Sequence, residues 1–122
     1  MAAYQRGDYV AAYQRGDYAT VIRELRPLAE QGNAEAQHYL GVMYGEGHGV
    51  PQDYAEAVGW WRKAAEQGMA DAQHNLGVMY DNGQGVPQDY AEAVKWYRKA
   101  LDTPPARTAM KWSRSAISLL RG

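Results

Sequence analysis

Residues 18–53, YATVIRELRPLAEQGNAEAQHYLGVMYGEGHGVPQD, and residues 54–89, YAEAVGWWRKAAEQGMADAQHNLGVMYDNGQGVPQD, are identical at 22 of 36 aligned positions. A third copy opens at Tyr90 as YAEAVKWYRKAL and matches the second at 9 of its first 12 positions before it diverges. A fixed period of this length marks stacked supersecondary units, each of which buries its apolar face only against its neighbours. No other feature restricts the fold as strongly.

Within the unit the spacing predicts two helices. In the second copy, Ala57, Val58, Trp61, Ala64 and Ala65 recur at helical intervals from about Tyr54 to Gln67, and Gly68 is placed to stop the helix in a left-handed conformation. A second helix is predicted from about Ala70 to Tyr80, with Ala72, Gln73, Leu76, Gly77 and Tyr80 on one face. Gly41 and Gly77 fall inside that helix, where glycine costs about 1 kcal/mol relative to alanine; a neighbouring helix too close for a side chain would account for both. Asp17, Asp53 and Asp89 each precede a first helix and read as N-caps rather than as catalytic acids. The intervening segments, Gly45 to Asp53 and Asn82 to Asp89, read as loops ended by Pro51 and Pro87.

The fold class implied is all-α: an α/α solenoid of stacked antiparallel helix pairs, about 2.5 repeats of 36 residues plus terminal helices. The chain divides into an N-terminal helix (1–17), repeats over 18–53 and 54–89, the first helix of a third repeat (90–101) and a divergent C-terminal helix or tail (102–122). Counting one period onward places Trp112, Ser113 and Ala116 where Leu76, Gly77 and Tyr80 stood, so a helix from about Ala106 to Leu120 would close the stack. A tail of foreign origin is the alternative, with Leu119 and Leu120 then exposed.

The strings AEAQHYLGVMYGEGHGVPQDYAEAVGWWRKAAEQG and ADAQHNLGVMYDNGQGVPQDYAEAVKWYRKA closely resemble the bacterial Sel-one-like repeat family, relatives of the tetratricopeptide repeats, over about residues 10 to 101. The resemblance implies a solenoid whose curved inner face binds other proteins, usually as an adaptor in an assembly. It also implies that Leu-Gly-Val-Met-Tyr marks the helix lining the concave face. The groove would then be formed by Glu35, His38, Tyr39, Val42 and Glu46 in the first unit and by Asp71, His74, Asn75, Val78 and Asn82 in the second. That set is polar, mildly acidic and dotted with valine, which suits an extended peptide or a partner's helix. The alternative reading is a self-associating structural or engineered repeat protein, paired end to end or by segment exchange, with no specific ligand.

Other chemistries find little support. With 46% apolar residues, 22% charged and a net charge of -1, the chain presents no large field to gather nucleic acid or an anionic membrane. It has no cysteine for a disulfide or thiolate site, no apolar run that would cross a bilayer, and no signal-peptide pattern at its start, which leaves the compartment open. The glycines of Gly45-Glu46-Gly47-His48-Gly49 come after a helix rather than a strand and lead into proline and aspartate, unlike a phosphate loop. His38 and His74 occupy equivalent places on successive helices, roughly 10 Å apart at ordinary packing distances and too far for a shared metal without a third ligand. His48 reads as a solvated loop residue. The three serines lie within the last ten residues with no base and no Ser-x-x-Lys. No catalytic residue, cofactor or metal is expected.

Trp61 and Tyr97 fall on the apolar faces of their helices, whereas Trp60 and Trp96 point about 100° away, toward the next repeat. Pro27 should kink its helix. The octapeptide AAYQRGDY occurs twice, at 2–9 and 11–18, and only the second copy is in register with the 36-residue period. One helix from about Ala3 to Arg15 is expected to run through Gly7 and Asp8, with Tyr9 and Tyr13 packed inward and Tyr4 free; a turn at Gly7, or docking on a second chain, are the alternatives.

Overall fold

Short glycine-centred turns and two longer proline-bearing loops fold the described residues into successive antiparallel helices. The computed structural model describes residues 6–102 and 114–121, with no strand among them. The helices are α1 (Arg6–Gln14), α2 (Tyr18–Glu30), α3 (Ala34–Glu46), α4 (Tyr54–Glu66), α5 (Ala70–Asn82), α6 (Tyr90–Asp102) and α7 (Arg114–Arg121). The architecture is the expected α/α solenoid.

The caps are those read from the sequence. The carboxylates of Asp17, Asp53 and Asp89 accept the backbone N–H groups of Thr20, Glu56 and Glu92 at 3.4, 3.1 and 3.1 Å. Hydrogen bonding from Thr20 holds the Asp17 carboxyl below its ordinary range. Between α2 and α3 the chain turns in three residues: Gly32 takes φ +100°, its N–H donates to Ala29 O, and Asn33 caps α3 through Ala36 N at 2.8 Å. Gly68 does the same between α4 and α5.

Helices α3 and α5 run two residues further than expected, so Gly45 and Glu46, and likewise Asp81 and Asn82, are helical. The left-handed stops of these helices are made at Gly47 (φ +69°) and Gly83 (φ +67°). Gly45 stays in the helix for a packing reason: a Cβ there would stand 3.1 Å from Cη2 of Trp61. The mid-helix glycines meet the expected close approach. A Cβ on Gly41 would enter the Trp61 ring, and one on Gly77 would lie 2.6 Å from the Tyr97 ring.

Among the described residues, three apolar clusters run along the stack. The first gathers Tyr9 and Ala12 of α1 with Val21, Leu25 and Ala29 of α2 and Leu40 and Met43 of α3. The second holds Val58 and Trp61 of α4 with Leu76 and Met79 of α5, and the third joins Ala93 and Tyr97 of α6 to Ala116 of α7. Burying a Leu, Val or Met side chain contributes about 1.5–3 kcal/mol each, so the spacing of these residues places the helices. Trp60 packs against the first cluster and Trp96 within the second. Both therefore look back toward the preceding pair, not forward as the sequence reading had them, because each first helix lies against the units before it. Pro27 stands inside α2, which continues for three residues beyond it.

At the N-terminal end α1 runs through Gly7 and Asp8, so the chain does not turn at Gly7. Tyr9 is buried and Tyr13 half-buried, as expected; Tyr4 lies outside the described residues. The connection from α1 to α2 is a three-residue turn in which Gly16 (φ +76°) donates to Tyr13 O and Asp17 donates to Ala12 O. It thus copies the turn within a pair, α2 to α3, and not the longer loop between pairs. At the other end, Ala116 is fully buried, and Leu119 and Leu120 pack against the same cluster instead of standing exposed; Ile117 is the exposed apolar residue of α7. Trp112 and Ser113, and the expected start of this helix near Ala106, lie outside the described residues.

Candidate interaction surface

Two buried amides and two phenols repeat the same fastening in successive pairs. The side-chain amides of Gln37 and Gln73 donate to Ala29 O and Ala65 O, each at 3.1 Å, tying the start of α3 and α5 to the end of the preceding helix. Arg26 and Arg62 donate to the hydroxyls of Tyr44 and Tyr80 at 3.0 and 2.5 Å. Gln67 reaches back to Gly32 O and to the Gln37 side chain, both at 2.9 Å, and so joins one pair to the next. These bonds hold α3 and α5 side by side with α4 behind them.

Between α3 and α5 the structure leaves a cleft of about 580 Å³. Its walls are His38, Val42, Gly45 and Glu46 of α3 and Asp71, His74, Asn75 and Met79 of α5; Trp61 and Tyr54 of α4 form the floor, and Gln84 closes one end. The Asn75 amide lies 3.2 Å from His38 Nε2 and bridges the two walls. Trp61 Nε1 donates to His38 O at 3.1 Å, which fixes the floor against one wall.

Burial pushes both histidines below their ordinary pKa. For His38 the nearby Asp71 and Glu35 charges oppose the shift only in part; for His74 Asn75 and Asp71 do so. The imidazoles are therefore neutral near pH 7, and the fixed charge of the cleft is that of Glu46 and Asp71. Among the described residues no group of three or more His, Cys, Asp or Glu side chains is placed to hold a metal ion.

Of the ten groove residues expected, six line this cleft: His38, Val42, Glu46, Asp71, His74 and Asn75. The other four are drawn elsewhere. Glu35 accepts a hydrogen bond from Tyr9 of α1, and the Tyr39 ring packs edge-on to Tyr9 at 5.6 Å. Val78 is half-buried against both the second and the third cluster, and Asn82 is exposed at the end of α5 outside the cleft. His74 is buried at 8% exposure rather than displayed. The floor residues Trp61 and Tyr54, with Gly45, Met79 and Gln84, escaped the sequence reading, which assigned the groove to one helix of each pair. The glycines were the available signal, since a helix close enough to demand Gly41 and Gly45 also floors the space between α3 and α5.

His48 is not the solvated residue expected. Its ring stacks on Tyr18 with centroids 4.4 Å apart and planes 6° from parallel, and its Nδ1 lies 3.5 Å from Glu46 Oε1. Tyr13 donates to the same Glu46 carboxylate at 3.3 Å; burial first, and the Glu46 charge second, push its phenol up to about 12. At the far end Asp81, 5% exposed, accepts from Tyr97 at 3.1 Å and from Ser115 at 2.6 Å.

Residues 34–69 and 70–102 match the Sel1 repeat family model, together more than half of the chain. The protein belongs to the Sel1 repeat family. Each matched unit opens on α3 or α5 and ends on the helix whose aromatic ring covers Gly41 or Gly77. The chain is similar to the crystal structure of a Sel1 repeat protein from Oxalobacter formigenes, at 40% identity and a TM-score of 0.74 over 77% of this chain and 39% of that one. It is similar also to c5321, a protective antigen of uropathogenic Escherichia coli strains displaying an SLR fold, at 47% identity and a TM-score of 0.72 over 75% of this chain and 21% of that one. Helicobacter pylori cysteine rich protein B shares the fold, with a TM-score of 0.68 and 22% identity over 91% of this chain and 88% of that one. No curated protein sequence matches the chain. It spans well under half the length of the first two structures. Sel1 repeats are generally protein–protein interaction modules and generally non-enzymatic scaffolds. No helix among the described residues is long and apolar enough to cross a membrane.

Proposed function

We propose that this protein is a non-enzymatic adaptor that holds an extended peptide or a partner's helix in the cleft between α3 and α5, on the inner face of the solenoid. The observation that carries this reading is the cleft itself. Its volume of about 580 Å³ falls within the 300–1,000 Å³ typical of ligand sites, and it combines apolar walls with a few convergent polar groups. It also spans two successive pairs, so a bound segment would touch residues that only the stacked arrangement brings together. Val42, Met79 and Tyr54 offer apolar contact, while Asn75, Gln84 and the two carboxylates can orient a backbone or a polar side chain.

Affinity capture compares wild type with Gln84→Trp, which fills one end of the cleft, and with Glu66→Trp, which alters an exposed position on α4. Partners retained by Glu66→Trp and lost by Gln84→Trp are the expected result. Equal retention by both would reject the cleft as the binding site.

A further inference from the structure

The face built by α3 and α5 carries charge of one sign. Neither helix contains a lysine or arginine, and together they hold Glu35, Glu46, Asp71 and Asp81, whereas α2, α4 and α6 each carry two or three cationic residues. Glu35 is engaged with Tyr9, and Asp81 with Tyr97 and Ser115. Asp71 and Glu46 are both exposed and both line the cleft, Glu46 while also accepting from Tyr13 at 3.3 Å and lying 3.5 Å from His48 Nδ1. No lysine or arginine lines it, and its two histidines are held neutral by burial.

An occupant covering this cleft takes two carboxylates partly out of water. An apolar helix would do so without replacing their hydration, and an acidic segment would add like-charge repulsion; a cation supplies charge-assisted hydrogen bonds instead. The long aliphatic stem of lysine or arginine also suits walls that are apolar within and anionic at the edge.

We propose that the cleft selects a basic segment of a partner protein, with arginine or lysine side chains lying along its apolar walls, one charge paired with Asp71 at the start of α5 and another with Glu46 at the end of α3. The inference rests on the cleft being the binding site. The carboxylates set the specificity, and the apolar walls supply most of the affinity, because exposed ion pairs are individually weak.

The test is selection of random dodecapeptides displayed on phage against the immobilised full chain, with Gln84→Trp as the counter-selection. Peptides that bind wild type and not Gln84→Trp are expected to be enriched in arginine and lysine. Their affinity should fall about tenfold on the double substitution Glu46→Gln/Asp71→Asn, and by a similar factor when citrulline replaces arginine in the peptide. Circular dichroism on the double variant confirms the fold. Cleft-dependent peptides without basic residues, or an affinity unchanged by the double substitution, would overturn the charge preference and leave the cleft as a binding site. If no selected peptide is sensitive to Gln84→Trp, the cleft reading falls and the preference with it.

Discussion

Ser115 Oγ donates a 2.6 Å hydrogen bond to the buried Oδ2 of Asp81, joining α7 to the last turn of α5. Tyr97 Oη donates to the same oxygen from α6, so three helices meet at one carboxylate. Removing one donor from a buried charged acceptor costs about 1–3 kcal/mol. Ser115→Ala is expected to lower stability by that amount in urea denaturation, with Ser115→Thr recovering part of it. A change below about 0.5 kcal/mol, the low end for a hydrogen bond, would show that the contact contributes little.

Two glycine substitutions should act in opposite directions. Gly59 is exposed in the middle of α4 and a Cβ there meets nothing within 4 Å, so Gly59→Ala should gain about 0.5–1 kcal/mol from helix propensity alone. Gly41→Ala pushes a methyl into the buried Trp61 ring, and overpacking of this kind costs about 1–3 kcal/mol. Urea midpoints measured on both variants, each against wild type, give the two signs.

Acid should weaken the fold through the cleft histidines. Their folded pKa values lie below the ordinary 6.5 because burial disfavours the imidazolium, so below about pH 6.5 the unfolded chain binds protons that the folded chain does not. Stability is then lost as pH falls from about 6.5 toward the folded values. Urea midpoints between about pH 7.5 and 5.5 should decline, and His38→Gln should flatten the decline. A slope unchanged by that substitution would place the linkage elsewhere.

Tyr13 gives the matching effect in base. Its folded pKa of about 12 exceeds the ordinary 10.0, so its contribution is intact below pH 10 and is lost as pH rises toward 12. Absorbance titration at the phenolate band should show a tyrosine ionising later in wild type than in Glu46→Gln, which removes the charge while leaving an amide oxygen to accept from Tyr13.

The repeat period made most of the fold legible, because residues that recur every 36 positions recur for a packing reason. Gly41 and Gly77 announced their neighbouring rings before those rings could be named. Gly45 did not, since a glycine beside a helix end looks like a stop, and only the position of Trp61 shows that it is a continuation. The lining of the cleft was legible in part. His38, Val42, Asp71 and Asn75 lie where the register put them, but equivalence by register assumes equivalent neighbours. Helix α1 engages Glu35 and Tyr39 through Tyr9, and that helix does not belong to the repeated pattern that produced the expectation.

The buried pairs of the two units differ in a coordinated way. One period separates Gly45 from Asp81 and Trp61 from Tyr97, so the indole lies over a glycine where the phenol answers a carboxylate. The first pairing makes no demand on the next element, and a further helix pair could stack there. The second carries a charge that needs a hydroxyl from its neighbour along the chain, and α7 brings one. Neighbour preference is thus encoded at one buried site per unit, and shuffling the units would strand a carboxylate inside the array even with every loop left intact.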